Sequence, residues 1–135
     1  MKRKSFLLAL VSILFFLSAC ALSPIEKYEN FLADMDAETR IEVCLKQISE
    51  RNPSLYTRGD VKTIQKDLKL LQTDDTEIAI INDSLITVVR TLEGCIKLID
   101  SKDFEKAQAD YEFAETLFRT AQAQLAQLRG GAPSV

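Results

Sequence analysis

Three cysteines, Cys20, Cys44 and Cys95, are the residues of this 135-residue chain whose type and position could support covalent chemistry. The chain contains no histidine, which excludes His-based catalytic triads, histidine general bases and His-ligated metal sites. It also lacks a Gly-x-Ser-x-Gly motif, a glycine-rich phosphate loop, EF-hand spacing and a Cys-x-x-Cys pair. We therefore predict no catalytic residue, no metal site, no cofactor and no small-molecule substrate. An enzyme that uses Ser/Lys or carboxylate chemistry ranks last among the functions considered.

The segment before Cys20 has the organisation of a secretory signal. Three basic residues at positions 2–4 precede an apolar run over residues 6–17, which is shorter than the roughly 20 residues of a membrane-spanning helix. The end of this segment, Leu17-Ser18-Ala19-Cys20, resembles the lipobox of bacterial lipoproteins. The resemblance implies that residues 1–19 are a signal peptide, that Cys20 is acylated, and that the exported chain is lipid-anchored to the cell envelope. An ordinary signal peptide with a chance cysteine is the alternative.

The charge of the mature chain limits its partners. Removing residues 1–19 takes away three of the 17 basic residues and none of the 20 acidic ones, which leaves a formal net charge of −6. This balance argues against a nucleic-acid partner and against a polybasic membrane patch. Membrane attachment must then depend on the lipid, and the lipoprotein family carries a diacylglyceryl group and often a third chain. Ala21 follows the cysteine, which in that family implies the outer membrane where a cell has two.

Once Cys20 is acylated, Cys44 and Cys95 are the two thiols that remain. Export delivers them to a compartment in which disulfides persist. Each also lies on the apolar side of a predicted helix. We predict a disulfide between them, closing a loop of roughly 50 residues and stabilising the domain by about 4 kcal/mol. The alternative is two buried free cysteines, which are common in protein cores.

Apolar residues recur at spacings of three and four through most of the mature chain, which predicts an all-α fold. We expect helices over residues 25–50, 61–71, 78–99 and 104–128, with a kink or break near Asp36 and a loop up to Gly59. The last two keep a heptad rhythm across a short polar turn, so they should form an antiparallel hairpin. The predicted fold is a small antiparallel bundle of three long helices and one short one. It covers residues 25–129, behind a lipidated N-terminus and spacer (20–24) and before a flexible tail (130–135).

Several residues outside the predicted core have alternative interpretations. Asp74 with Glu77 resembles a capping box for the third helix. The tripeptide Arg58-Gly59-Asp60 falls in the predicted loop, where an RGD sequence could engage integrins. The competing interpretation is that Gly59 makes a turn and Asp60 caps the second helix.

Phe113 is the strongest candidate for partner binding. It lies outside the heptad seam of the fourth helix, with Leu117 one turn further on. An exposed aromatic residue beside an aliphatic one can anchor a partner. Packing of Phe113 beneath another helix is the alternative.

Together these features predict a non-enzymatic lipoprotein that binds or guides another envelope protein. Its general layout is similar to that of the small helical lipoproteins that act as secretion pilotins, although no diagnostic pilotin motif is present. The alternative is a surface-exposed or structural lipoprotein with a host-facing, exclusion or inhibitory role.

Overall fold

The computed structural model describes residues 21–130, and within that range 82% of the residues are helical and none forms a strand. The five helices are α1 (Pro24–Asp34), α2 (Ala37–Ser49), α3 (Leu55–Leu68), α4 (Thr76–Asp100) and α5 (Phe104–Gly130). The predicted all-α bundle is confirmed. None of these helices combines the length and apolarity needed to span a membrane. The predicted signal peptide, Cys20 and residues 131–135 of the predicted tail lie outside the described residues, whereas Gly130 still belongs to α5.

The break expected near Asp36 is present, and it divides the predicted first long helix into two helices. Asp36 has a φ of 50°, in the left-handed region, and separates α1 from α2. The side chain of Asp36 makes no capping hydrogen bond, so the break depends on its backbone. At the start of α1, Ser23 and Glu26 form a reciprocal capping box, and Pro24 occupies the first turn.

Two other helix starts differ from those predicted. The α3 helix begins at Leu55 because the Ser54 side chain accepts a hydrogen bond from the Thr57 backbone N–H. The residues expected to form a loop up to Gly59 are therefore largely helical. The cap of α4 is Asp75, which accepts from the Ile78 backbone N–H at 3.0 Å, and not Asp74.

The α4 helix is the centre of the bundle. It contacts α1, α2, α3 and α5, and ten of its 25 residues are buried. A buried polar link adds to this packing: the Tyr28 hydroxyl donates to Asn82 Oδ1 at 3.2 Å, and Asn82 Nδ2 donates to the Leu68 carbonyl at 2.9 Å. This link joins α1, α4 and α3. Every buried side-chain nitrogen and oxygen in residues 21–130 has a hydrogen-bond partner.

Candidate functional site

The candidate site is the side of the α4–α5 hairpin that is turned away from α1 and α2. One edge of α5 is tied to α1 and α2 by three polar contacts: Arg119 with Glu42, Gln122 with Glu38, and Arg129 with Glu29. The opposite edge of α5 carries Phe113 and Leu117, so these two residues point away from α1 and α2.

Phe113 has 55% of its surface exposed. Leu117, one turn further on, is partly buried and packs against the core. The exposure of Phe113 excludes the alternative in which its ring packs beneath another helix. An exposed aromatic ring beside an anchored aliphatic side chain is suited to act as a binding hot spot.

A row of uncharged side chains on α4 continues this surface, with small residues in its middle and a larger aliphatic residue at each end. Its members follow one another at alternating spacings of four and three: Ile80, Ser84, Thr87, Thr91, Gly94 and Leu98. The hydroxyls of Ser84, Thr87 and Thr91 each donate to the carbonyl oxygen four residues earlier, at 3.0, 2.9 and 2.8 Å. These donors are satisfied within the helix, so the row presents mainly carbon groups to the outside. We call this row, together with Phe113 and Leu117, the outer face.

The register of the hairpin brings the two halves of the outer face to the same level. Cys95 Sγ lies 3.6 Å from the Ala107 carbonyl oxygen. Because the helices are antiparallel, each step back along α4 matches a step forward along α5, so Phe113 comes level with the stretch between Thr87 and Thr91. The sequence interpretation did not include the α4 row because serine, threonine and glycine are typical of a polar surface. Its heptad spacing, offset from the buried seam, is the signal that could have identified it.

Gly94 has no structural explanation within the described part of the protein. It lies in the interior of α4, where glycine costs about 1 kcal/mol relative to alanine. A Cβ atom built at this position would meet nothing within 4 Å. No internal packing therefore requires the glycine, and it leaves a shallow gap on the outer face.

The RGD tripeptide is not an exposed loop. All three of its residues belong to α3. The Asp60 side chain is only 6% exposed and is paired with the Arg40 guanidinium, whose Nε donates to it at 3.0 Å. Arg58 makes two hydrogen bonds to Asp100, at 2.6 and 2.8 Å. Both charged groups of the motif are thus engaged within the bundle, and the interpretation of Asp60 as a helix cap is also wrong.

The predicted disulfide between Cys44 and Cys95 is absent, because both residues are free and buried. The two side chains have different surroundings. Cys44 on α2 lies near the Asp60–Arg40 pair, at the α3 side of the core, whereas Cys95 on α4 points towards Ala107 of α5. Burial raises the pKa of each thiol to about 11, so neither is activated as a nucleophile.

We expect both thiols to be unreactive in the folded protein. At pH 8 and with pKa values near 11, almost none of either thiol is ionised, and burial also blocks access. A maleimide should modify neither Cys44 nor Cys95 until denaturant is added, when it should modify both. Fast labelling of either residue under native conditions, or a melting temperature that falls on addition of reductant, would contradict the structure.

The other features of the described residues do not indicate a specific ligand. A groove of about 560 Å³ lies between α1 and the loop that precedes α4, with Phe31, Leu70 and Asp74 among its lining residues. No group of three His, Cys, Asp or Glu residues in the described range could hold a metal ion.

No protein-family model matches the chain, and no curated protein or solved structure matches it either.

Proposed function

We propose that the protein is a lipid-anchored, non-enzymatic adaptor of the cell envelope, which holds or guides another envelope protein through its outer face. The observation that carries this proposal is the exposure of Phe113 on the outer face. The lipobox resemblance at Cys20 supports the anchor. Since α1 starts at Pro24, the spacer would extend about 14 Å at most, so the bundle would be held close to the membrane.

The adaptor role is tested by replacing Phe113. We expect Phe113→Ala to leave the melting temperature nearly unchanged, because the side chain is largely exposed. It should also weaken capture of an envelope partner by tenfold or more, as loss of a hot-spot aromatic residue does. The measurement is affinity capture of the lipidated chain from gently solubilised envelopes, with a tag after residue 130.

Leu55→Ala is the matched control. Leu55 is 88% exposed and lies at the start of α3, which is not one of the two helices that form the outer face. This variant should capture the partner as well as the original protein does. Equal loss of capture in both variants would point to a nonspecific apolar contact, and capture unaffected by Phe113→Ala would overturn the proposed site.

The anchor has a separate test. Replacement of Cys20 by serine should prevent incorporation of radiolabelled palmitate and move the protein from the membrane fraction to the soluble fraction. Unchanged labelling would show that the lipid is attached elsewhere.

A further inference from the structure

Charged residues of α4 border the outer face, and the sign of their charge differs between its two ends. Asp83, Arg90 and Lys97 lie along α4 at seven-residue intervals, and all three are exposed. Arg90 forms no ion pair with any residue from 21 to 130, and Lys97 approaches only Glu93, at 3.9 Å. The half of the face around Gly94 is therefore bordered by two cations that are weakly neutralised within the protein.

These charges oppose a second copy of the chain as the occupant. Pro24, Asp75 and Ile78 line one groove, so α4 begins at the same end of the bundle as the proposed anchor. Two copies anchored in one membrane by such short spacers must pair in parallel. A parallel two-fold pair would place Arg90 opposite Arg90 and Lys97 opposite Lys97, and like charges in contact are unfavourable.

The dimensions and surface of the α4 row suit one helix. From Ile80 to Leu98 the row is about 27 Å long at 1.5 Å per residue, which corresponds to about five helical turns of a partner. Small residues allow close approach of helix axes, and hydroxyls that are already bonded cost little to cover. A helix seated along the row would cover the gap at Gly94, and the projecting Phe113 ring would lie beside it.

We propose that the outer face binds a single α-helix of the partner, seated along the α4 row with small residues over Gly94 and acidic residues opposite Arg90 and Lys97. This inference rests on the proposed adaptor function and specifies the chemistry of the partner. Its mode is helix-in-groove recognition: Gly94 sets the close approach, and the two cations select an acidic flank.

The test uses the full lipidated chain in intact envelopes, with a photo-crosslinking amino acid at position 87, at position 113, or at position 62 as a control. Lys62 is exposed on α3. We expect one protein to be crosslinked from positions 87 and 113 but not from 62. Its crosslinked residues should lie on a helix with carboxylates beside them.

Each other result has a distinct meaning. Crosslinks from 113 without any from 87 would overturn the seated helix while leaving the adaptor function in place. A second copy of the chain, or a partner segment without acidic residues, would overturn the inference as well. No crosslinked protein from either position would overturn both the inference and the proposed function.

Substitutions at Gly94 supply an independent readout. Gly94→Ala should raise the melting temperature by about 4–6 °C, because alanine favours the helix and the site is open. Gly94→Leu should keep the fold but reduce capture at least tenfold by blocking close approach. Gly59→Leu is the matched control, since Gly59 is also helical and open, and it should capture normally.

A charge-reversal pair tests the acidic flank. Arg90→Glu with Lys97→Glu should reduce capture at least tenfold, whereas Lys62→Glu with Lys66→Glu changes the net charge equally on exposed positions of α3 and should not. If both double variants reduced capture equally, the interaction would depend on net charge alone. That result would overturn the inference.

Discussion

Phe118→Ala should lower the free energy of unfolding by about 3–5 kcal/mol, the typical loss when a buried phenylalanine is replaced by alanine. Phe118 is fully buried in the hydrophobic core. Removal of its ring leaves a cavity between long helices that cannot easily close around it, since α4 and α5 are in contact along the hairpin. The measurement is urea denaturation of the purified protein followed by circular dichroism at 222 nm.

Phe113→Ala is the control for this prediction because it removes the same side chain five positions earlier on the same helix. Phe113 is 55% exposed, so we expect a loss below about 0.5 kcal/mol. Together the two variants separate packing from binding: Phe118 should affect stability and Phe113 only capture. Similar losses of stability for both would place Phe113 in the core and remove it from the binding surface.

The periodicity of the sequence was sufficient to predict the α4–α5 hairpin. Its buried residues recur at the heptad spacing that was expected, including Leu85, Leu92, Phe118 and Leu125. The structure retains this periodicity because each helix carries one apolar stripe, and each stripe is buried against the neighbouring helix. Sequence periodicity predicts a helix boundary least reliably where a single capping side chain or the backbone conformation of one residue decides where the helix begins or ends.

The α3 helix illustrates that limit. Ser54 starts it, yet the first two residues, Leu55 and Tyr56, are 88% and 68% exposed, so they add nothing to an apolar stripe. The start is therefore invisible to a periodicity argument. The break near Asp36, in contrast, was expected from the interrupted apolar face, and the structure shows that it depends on a positive φ rather than on a side-chain cap.

The disulfide prediction was wrong, since Cys44 and Cys95 are both free, and their different surroundings accord with this. Two cysteines on the apolar sides of their helices are both buried, but burial does not set the direction in which each side chain points. Cys95 points towards α5, while Cys44 lies near residues of α2 and α3. A disulfide requires Cβ atoms about 4 Å apart, and sequence alone carries no information on this distance.

Asp60→Asn should also be strongly destabilising, by about 3 kcal/mol, because it leaves the charge of Arg40 without its main partner in a site mostly shielded from water. Only 19% of the Arg40 side chain and 6% of the Asp60 side chain are exposed. The remaining contacts of Arg40 are the Met35 carbonyl at 3.0 Å and Asp67 at 3.9 Å. Urea denaturation measures the loss.

Asp100→Asn is the matched control, since Asp100 also pairs with an arginine, Arg58, but is 51% exposed. We expect this substitution to lower the free energy of unfolding far less than Asp60→Asn does, because solvent screens ion pairs on the surface.

Joint replacement of Arg40 by methionine and Asp60 by leucine should recover much of the stability lost in Asp60→Asn, because a buried pair can be replaced by apolar groups at little net cost. The comparison separates two roles for the pair. Recovery would show that the pair stabilises the native state mainly by avoiding an uncompensated charge. A double variant as unstable as Asp60→Asn would show instead that the directed Arg40–Asp60 contact is needed to orient α2 against α3, and with them the helices that support the outer face.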